Sequence, residues 1–564
     1  MKKTFTTIIS SLLVLAANSQ TFSNQVAIPP TLSGPSFNLT VKDTAKEFTP
    51  GLTSQTFAIN NMDYLGPTLI FQQGETVDFT IDNATAADSI TIHWHGMHLP
   101  AVMDGGPMNE ILPGGTWSPS YDVLNQASMM WYHSHAHERT LYQVNKGIAG
   151  MIIIQDTIES QLNLPRTYGI DDFPLIFQDK EINMSNGNLE PALLGDTMMV
   201  NGTLDPFIEL PAQVVRLRVI NTSIERVYMF GIDDNRDFVQ IGTDGGLLEA
   251  PVTLNRLPLG PGERADLLID LGGETVGTDL FLMSYSTEFN GLVAGSCNTG
   301  PGCGSGPMDS TDFQVMRLNV IAQTGSPVTT IPASLTTIDW LVEANVDTTR
   351  VKNLNNPSSP GSPFTINGGS FDMSVINDYV PLGNTEIWTF VNTSSIAHPM
   401  HIHDVQFNIL RRDGVAPPAN ELGWKDVVLV YPNETVEVIA EFMKFPDPVY
   451  TYMMHCHSLG HEDYGMMEQF VIVDTTSIDI TDLPLNGGIK VFPNPASDKL
   501  TIEFSQEVKN IDVGIYNQLG QVKSDLQVSG ISDQIDISSL PSGMYYVVLF
   551  SKNKVISHLK FLKE

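Results

Sequence analysis

A segment that alternates apolar and polar residues occurs three times in this chain, each time ending in an asparagine with a hydroxyl residue two positions later. The three segments end at Asn83, Asn221 and Asn392, and a turn containing proline follows each of them after 30 to 40 residues. Alternation with a period of two predicts β-strands, and turn-forming residues at this density are typical of β-sandwiches. Because the copies lie about 140 to 170 residues apart, the sequence predicts three sandwich domains.

We therefore expect an all-β protein. Its 564 residues suffice for three or four domains. We place the sandwich domains at residues 35–160, 165–325 and 335–475, and we expect the segment GSPVTTIPASL to link the second domain to the third. A β-rich unit at 488–564 follows, and we expect it to form a small β-sandwich of its own.

The histidines are distributed very unevenly. The chain has 13 of them, and 12 lie in or beside four short clusters with the sequences TIHWHG, WYHSHAH, HPMHIH and YMMHCHSLGHEDYGMM. No histidine lies between His137 and His398. Random scatter would not leave the whole middle of the chain empty. The pattern therefore indicates metal sites built by the first and third predicted domains.

The last cluster carries the most varied set of metal-binding side chains. The stretch from Tyr452 to Met467 contains His455, Cys456, His457, His461 and Met466. If this stretch is a strand, Cys456 points to the face opposite its two histidine neighbours, and it then serves a different site from them. A thiolate, an imidazole and a weak thioether supply most of a blue-copper site, which still needs a second imidazole. We expect that imidazole, and the partners of His455 and His457, to come from the other clusters.

The four clusters resemble the copper-ligand signature of the multicopper oxidases, and the resemblance extends from about residue 40 to about residue 475. It is strongest to the three-domain branch that contains bacterial copper efflux oxidase, spore-coat laccase and bilirubin oxidase. The resemblance implies three cupredoxin-like Greek-key domains and four copper ions, namely one type 1, one type 2 and a type 3 pair. The second domain has no histidine, so its expected role is to space the outer domains so that their clusters meet.

The resemblance also implies a role for each ligand. The expected type 1 ligands are His398, Cys456, His461 and Met466. The expected type 2 ligands are His93 and His401. The expected type 3 ligands are His95, His133 and His457 for one copper and His135, His403 and His455 for the other. A single His-x-His pair is equally typical of a zinc site, but four pairs together with cysteine and methionine favour copper.

Two acidic residues match positions that serve proton delivery in the copper efflux branch. They are Asp104, in VMDGGP, and Glu462, which directly follows His461. Because DGG is also ordinary turn chemistry, a purely structural role is the alternative for Asp104, and similarly for Glu462. The chain departs from the copper efflux pattern at Ser394, where those enzymes carry an aspartate, and it has no methionine-rich insertion. Both departures weaken the case for Cu(I) as the dedicated substrate.

Four further residues have less defined expectations. Trp424, in GWKDVV, matches a motif of the bilirubin oxidase and efflux branches, and we expect it either to border the type 1 pocket or to lie in the core. His98 and His137 have no ligand role in the resemblance and are expected beside the ligands or at the surface. His558, in the tail, is expected to be solvated.

The chain ends and the remaining cysteines indicate export. Two lysines, an apolar run and small residues predict a secretory signal peptide over residues 1–19, and the run is short for the alternative of a membrane anchor. Cys297 and Cys303 lie in a Gly/Pro-rich loop, where an oxidising compartment favours a small disulfide over free thiols or a metal clip. The tail, with FPNP and LPSGMYYV, resembles the type A C-terminal sorting domain of the type IX secretion system. A carbohydrate-binding or fibronectin-like module is the alternative.

These features together predict a function. The net charge of −34 argues against nucleic acid as a partner. We expect a secreted or cell-surface monomer, exported through the periplasm by the type IX machinery, that oxidises a phenolic or bilirubin-like reductant and reduces O2 to water. The alternative within enzymes is a metallo-oxidase acting on Cu(I), Fe(II) or Mn(II). A copper-free scaffold, as in the cell-division relatives of the fold, is disfavoured because those proteins lack the ligands that this chain retains.

Overall fold

The computed structural model describes residues 22–296, 304, 306–359, 362–474, 489–517, 522–551 and 554–564. The expected signal peptide and the expected Cys297–Cys303 disulfide lie outside the described residues. The expectation of an all-β protein is confirmed: the α-helices of the described chain are the short α1 (Thr140–Asn145) and α2 (Leu459–Asp463). Single 3-10 turns occur at Ala101–Met103, Glu159–Gln161, Ser286–Phe289, Glu343–Asn345 and Ala419–Glu421. None of the described helices has the length and apolarity needed to cross a bilayer.

The first domain is a sandwich of two sheets. The strands of this part of the chain are β1 (Asn24–Gln25), β2 (Thr31–Ser33), β3 (Ser36–Thr49), β4 (Leu52–Ile59), β5 (Thr68–Gln72), β6 (Thr76–Asn83), β7 (His93–His95), β8 (Thr116–Trp117), β9 (Ser120–Asp122), β10 (Ser128–His133) and β11 (Ala149–Gln155). One sheet has the order β2-β5-β11-β10-β7, and the other has the order β4-β3-β6-β8, with β9 also paired to β6. Alternate residues of β3 and β6 point into the core between the sheets, as the sequence pattern predicts.

The second domain has two larger sheets. Its strands are β12 (Asp172–Ile182), β13 (Leu189–Glu190), β14 (Thr197–Val200), β15 (Thr203–Leu204), β16 (Pro206–Pro211), β17 (Val214–Asn221), β18 (Tyr228–Ile232), β19 (Phe238–Thr243), β20 (Gly246–Leu254), β21 (Leu257–Leu259), β22 (Arg264–Asp270), β23 (Asp279–Ser284) and β24 (Phe313–Ile321). The sheet orders are β1-β16-β24-β23-β18-β21 and β15-β14-β12-β17-β22-β19-β20, with β13 paired to β12. Strand β1 thus precedes the first domain in sequence but pairs with β16 of the second.

Both faces of the sheet around β17 are buried, which explains how the first two domains pack. Every residue of β10 and of β17 is buried, whereas a strand with one solvated face would alternate. On β10, Met130 points into the first domain's own core, while Met129 and Trp131 pack against Ile220 and Met199 of the second domain. The odd-numbered face of β10 is therefore an interdomain face, and it continues to His133.

The third domain is again a sandwich of two sheets. Its strands are β25 (Thr348–Asn355), β26 (Thr365–Ile366), β27 (Asp378–Pro381), β28 (Thr385–Asn392), β29 (His398–Ile402), β30 (Phe407–Arg412), β31 (Val427–Val430), β32 (Thr435–Glu441), β33 (Tyr452–Cys456) and β34 (Met467–Val473). The sheet orders are β26-β25-β28-β32-β30 and β27-β34-β33-β29-β31. Strands β29 and β33 are antiparallel neighbours, with Met400 opposite Cys456 and His401 opposite His455.

The tail forms a separate β-unit. Its strands are β35 (Ile489–Phe492), β36 (Lys499–Asn517), β37 (Val522–Asp536), β38 (Gly543–Ser551) and β39 (Lys554–Lys563). They belong to one sheet of order β35-β36-β38-β39, with β37 also paired to β36. The pairing of β36 with β37 shifts register between Glu503 and Ile511, and residues before and after this shift share one apolar core. The described tail residues thus form one hydrogen-bonded sheet around a core of their own, and the expectation of a separate β-rich unit is confirmed.

Candidate metal centre

Strand alternation places the first histidine pair on the outer face of the first domain. Within β7, Trp94 points into the core between the sheets. His93 and His95 therefore point to the opposite face, where both are buried. In the neighbouring strand β10, His133 pairs with His93 in register. The two strands thus present their histidines on one surface, which faces the third domain.

Strands β29 and β33 of the third domain sort their metal-binding side chains in the same way. Cys456 lies in the third domain's core together with Met400 and Met454. His401 and His455, which face each other across the strand pair, point to the opposite surface. Cys456 therefore lies on the face opposite its histidine neighbours, and its service to a different site stays a prediction.

Eight imidazoles from the two domains meet at this interface. The Nε2 atom of His455 lies 3.2 Å from Nε2 of His135 and 3.2 Å from Nε2 of His403. The ring of His457 lies 4.9 Å from that of His95 and 5.4 Å from that of His133, between ring centres. The remaining two members of the group are His93 and His401, whose ring centres are 6.1 Å apart.

Five of the eight histidines have buried ring nitrogens without a protein partner. Buried nitrogens without a hydrogen bond are His93 Nε2, His95 Nδ1, His133 Nε2, His401 Nε2 and both ring nitrogens of His457. Leaving a buried polar atom unpaired costs about 1–3 kcal/mol, so native structures rarely do it without a ligand. Imidazole nitrogens in this number are the donor set that copper prefers in proteins. The site thus fits copper by its own unpaired atoms.

The opposite nitrogens are held by oxygen acceptors, which fixes the orientation of each ring. His93 Nδ1 donates to the backbone oxygen of Asp104 at 2.8 Å. His401 Nδ1 donates to the backbone oxygen of Asp426 at 2.7 Å. His95 is turned the other way, because its Nε2 donates to the Asp426 carboxylate at 3.1 Å. The free nitrogen of His95 is therefore Nδ1, unlike that of the other two.

Burial keeps six of these imidazoles neutral. It lowers the pKa of His95, His133, His401, His403 and His457 well below the usual histidine range, and repulsion among the neighbouring imidazoles adds to the effect. Burial likewise lowers the pKa of His135, to about 3. A neutral imidazole has the lone pair that a metal ion needs, so no proton has to leave these rings before binding.

Both predicted acidic residues lie at this group. The Asp104 carboxylate accepts a hydrogen bond from His403 Nδ1 at 2.7 Å, and its second oxygen lies 3.4 Å from His93 Nδ1 without a hydrogen-bond partner. Glu462 lies 3.4 Å from His135 Nδ1 and 3.3 Å from His455 Nδ1. Burial opposes ionisation of Glu462, but the electrostatic attraction of the two facing imidazole N–H groups outweighs it and lowers the pKa of Glu462. Each carboxylate thus contacts the outer nitrogens of two histidines.

A second candidate site surrounds Cys456. Its Sγ atom lies 3.5 Å from Nδ1 of His398 and 3.5 Å from Nδ1 of His461. Burial raises the pKa of the Cys456 thiol, so a metal ion has to displace its proton. Met466 is fully buried in the same apolar cluster as Cys456, and its backbone oxygen accepts a hydrogen bond from the Cys456 N–H at 3.1 Å. All four predicted type 1 ligands are therefore together.

Ser394 explains the orientation of His398. Its hydroxyl oxygen lies 2.7 Å from His398 Nε2 and 2.9 Å from the backbone oxygen of Ile396. Since the hydroxyl donates to the carbonyl, it accepts from the Nε2–H of His398, and Nδ1 is left to face Cys456. The serine thus orients this imidazole at a position where copper efflux enzymes carry an aspartate.

Comparisons with known proteins agree with this geometry. Models of multicopper oxidase domains match residues 40–159, 131–300 and 342–476, and a model of a secretion system C-terminal sorting domain matches residues 490–564. The crystal structure of the McoA multicopper oxidase from Aquifex aeolicus has a TM-score of 0.71 and 31% identity, and it covers 80% of this chain and 99% of its own.

The chain belongs to the multicopper oxidase family. A laccase-like multicopper oxidase, CueO from the lignin-degrading bacterium Ochrobactrum sp., matches with a TM-score of 0.70 and 31% identity over 79% of this chain and 100% of its own. The cell division protein FtsP of Photorhabdus laumondii is also 31% identical, over 82% of this chain and 94% of its own length. The family thus includes members with an oxidase name and members with a cell-division name.

A cavity lies beside His461, and no sequence motif indicated it. It has a volume of about 860 Å³, and its lining includes Phe364, Pro357, Tyr464, His461 and Glu225. Of the predicted type 1 ligands that the structure describes, His461 is the one that reaches this cavity. An electron donor in the cavity would therefore be in contact with a type 1 ligand.

Glu225 comes from the second domain, in the loop after β17. Its carboxylate is 1% exposed, and neither oxygen has a hydrogen-bond partner. One oxygen lies 3.7 Å from Nε2 of His461. Burial raises the pKa of Glu225 to about 8, and the nearby Asp179 carboxylate adds to the shift. No period-two pattern marks a single acidic residue in a loop, and this domain has no histidine cluster that would indicate a metal site.

The four residues with open expectations are now placed. His98 Nδ1 donates a hydrogen bond to the buried Asp404 carboxylate at 2.7 Å, whereas His137 is exposed. Trp424 lies against the second domain, where its backbone oxygen accepts a hydrogen bond from the Gly245 N–H at 2.7 Å, and it is not among the described residues that line the cavity. His558 lies opposite Val548 on β39, the edge strand of the tail sheet, and it is half-buried, so the expectation that it is solvated holds only in part.

Proposed function

We propose that the protein is a secreted, copper-dependent oxidase that couples four one-electron oxidations of an organic reductant to the reduction of O2 to two waters. The observation that carries the proposal is the set of buried, unpaired imidazole nitrogens at the interface of the first and third domains. A protein that kept this fold only as a scaffold would have no physical reason to maintain such an arrangement, since each unpaired buried atom destabilises it.

The donor sets support one assignment of the copper sites. His93 and His401 would hold the type 2 copper through their free Nε2 atoms. The type 3 pair would be held by His95, His133 and His457 on one side and by His135, His403 and His455 on the other. The type 1 copper would be held by His398, Cys456, His461 and Met466.

The chemistry that copper supplies when bound is one-electron transfer and storage of the four electrons that O2 needs to become two waters. The protein's own contribution is to separate the entry of electrons from the entry of O2. Cys456 is covalently continuous with His455 and His457, so the backbone joins the site beside the cavity to the interface group. The sequence spacing of these ligands therefore supplies a short bonded path between the two sites.

Reduction of O2 to two waters also consumes four protons. Asp104 and Glu462 are the buried carboxylates that contact the outer nitrogens of the interface histidines. We assign to both residues the relay of protons for O2 reduction, with Asp104 also orienting His403. A carboxylic acid can deliver a proton that an amide of the same shape cannot.

The cavity supports an organic reductant. Phe364 and Pro357 supply apolar surface for a ring, and Glu225 offers carboxylate oxygens without partners. A phenol or an aromatic amine would place its O–H or N–H on Glu225 while its ring lies near His461. Such a contact would hold the reductant in the cavity through a hydrogen bond to Glu225. It would also place the ring of the reductant beside His461, where an electron can leave it.

The unpaired Glu225 carboxylate also favours one alternative, a metallo-oxidase that takes Cu(I), Fe(II) or Mn(II) in the same cavity. The two possibilities differ in what the cavity binds. A panel of phenols, aromatic amines and the three metal ions, compared by kcat/KM in the copper-loaded full-length protein, separates them. The proposal expects the organic donors to have the higher kcat/KM, and a higher value for one of the metal ions would establish the alternative instead.

A substitution at the cavity sharpens this test. Glu225→Met removes both acceptor oxygens while keeping a similar side-chain length, and we expect kcat/KM for phenols to fall about five- to tenfold, the equivalent of one hydrogen bond of roughly 1 kcal/mol. A redox dye without O–H or N–H groups should lose less. Glu288→Met is the matched control, because this acid of the same domain is exposed and pairs with Arg256. An equal loss for phenol and dye would exclude Glu225 from donor binding.

The tail supports export. We propose that the sorting domain at 488–564 directs the protein through the periplasm to the cell surface or the medium by type IX secretion, after removal of residues 1–19. None of the proposed ligands lies in the tail. Removing residues 488–564 should therefore leave copper content unchanged in a heterologous host and leave the protein in the periplasm of its own host. Loss of copper in the truncated protein would refute this modular account.

A further inference from the structure

Arg264 of the second domain lies where all three domains meet. Its side chain is fully buried. Its guanidinium donates to both oxygens of Asp426 in the third domain, with the Nη2–Oδ2 distance at 2.6 Å. The Nε atom donates to the backbone oxygen of Met129 in the first domain at 3.0 Å. One side chain of the domain without histidines therefore binds both domains that carry them.

Asp426, in turn, binds two of the proposed copper ligands. Its Oδ1 atom accepts from His95 Nε2 at 3.1 Å, and its backbone oxygen accepts from His401 Nδ1 at 2.7 Å. These two hydrogen bonds leave His95 Nδ1 and His401 Nε2 as the free atoms. The His95 tautomer therefore depends on the orientation of the Asp426 carboxylate. Arg264 fixes that orientation because it donates hydrogen bonds to both carboxylate oxygens.

Among the neighbouring cationic side chains that the structure describes, Arg264 is the one that orients the Asp426 carboxylate. Lys425 lies 2.9 Å from Asp244 and 3.1 Å from Glu263, so its ammonium is already engaged by two other carboxylates. Asp244 also accepts from the Arg264 backbone N–H at 2.7 Å. A lysine at position 264 could reach Asp426 as a point charge, but it could not reproduce the planar fork that fixes both oxygens.

We infer that Arg264 is a positioning residue for the interface copper site, acting through Asp426 to hold His95 in the Nε2–H tautomer with Nδ1 facing the metal. The inference rests on the proposed copper centre and extends it, since the second domain then builds the site as well as spacing its neighbours. Residues that orient metal ligands in this way typically change metal affinity about 10- to 100-fold when they are replaced.

The test compares Arg264→Lys with Arg216→Lys in the full-length protein. Arg216 is the matched control, because it is also buried in the second domain and paired with a carboxylate, Asp266, but it contacts no proposed ligand. Copper is removed stepwise with a chelator while the copper remaining per chain, the blue absorption band and the electron paramagnetic resonance spectrum are recorded. The blue band follows the Cys456 site, and copper that leaves while the band persists comes from the interface site. None of these readouts depends on turnover.

We expect Arg264→Lys to keep the blue band and to lose interface copper at about 10- to 100-fold lower chelator concentration. Arg216→Lys should lower the unfolding midpoint without changing the order or concentration of copper loss. The inference is overturned if Arg264→Lys retains interface copper as the parent does, or if Arg216→Lys loses it equally. Should Arg264→Lys fail to fold, Asp426→Asn, which keeps the volume of the side chain, must give the same selective loss. A parent protein without any copper would instead contradict the proposed function itself.

Discussion

Gly262 tests the geometry of the interface site with an internal control. It lies in the proline turn of the second domain at φ +82°, and a Cβ atom added there would lie 2.8 Å from Cγ of His457 and 2.9 Å from its Cδ2. Carbon atoms do not approach this closely, so the ring of His457 has to move in Gly262→Ala. Both nitrogens of that ring are otherwise unpaired, and no hydrogen bond of the side chain resists the displacement.

The repeated turn supplies the control. Gly114 occupies the same place in the first domain at φ +76°, and a Cβ atom there would meet nothing within 4 Å. The equivalence extends to hydrogen bonding, since the N–H groups of Gly114 and Gly262 donate to Asn83 and Asn221, the asparagines that end the repeated strands. In the third domain the turn residue is Asn433 at φ +63°. The turn itself therefore tolerates a side chain.

Both substitutions should lower the free energy of unfolding, but only Gly262→Ala should also weaken copper binding at the interface site. A left-handed conformation costs an L-residue about 1–2 kcal/mol, so both alanine variants should lose about this much stability. Only Gly262→Ala should weaken the interface copper, by about 10- to 100-fold in a chelator titration, with the blue band of the Cys456 site retained. If Gly262→Ala and Gly114→Ala retain interface copper equally well, His457 is not a ligand in the position that the structure gives it.

Three further outcomes are expected. Cys456→Ser should abolish the blue band and turnover while the interface coppers still bind, and a blue variant would refute the assignment, because only the thiolate provides that absorption. Asp104→Asn should keep the blue band, since an amide oxygen can still accept from His403, but it should slow O2 reduction by about 100-fold; a parental rate across the pH range would return Asp104 to a purely structural role. Burial lowers the pKa of Lys180 to about 7 from 10.5, so the unfolded chain binds more protons between these pH values and the unfolding midpoint should rise with pH across this window. Lys180→Met should flatten that rise, whereas the same slope in the variant would show that Lys180 is charged when buried.

The placement of the candidate ligands could be predicted from the sequence because it follows from local rules. Alternation in a strand puts Cys456 on one face and His455 on the other, and it does the same for Trp94 and His93. These assignments need only the knowledge that the segments are strands. The repeated asparagine and proline turn gave the number of domains for the same reason, since a repeated local pattern predicts a repeated fold.

The contributions of the second domain could not be predicted in this way. Arg264 reaches Asp426 across 162 positions of sequence, and Glu225 reaches His461 from another domain. Neither residue belongs to a periodic pattern, because each acts through a contact that exists only after the domains have packed. Strand β1 escaped prediction for the same reason, as it lies before the first domain and pairs with the second.

The central claim is most directly tested by the copper content and spectrum of the full-length protein expressed with copper. The account predicts four copper ions per chain and an intense blue band. It also predicts that only two of the four coppers are visible by electron paramagnetic resonance, because the type 3 pair is magnetically coupled. A folded protein that binds no copper, or that binds one ion without a blue band, would contradict the account.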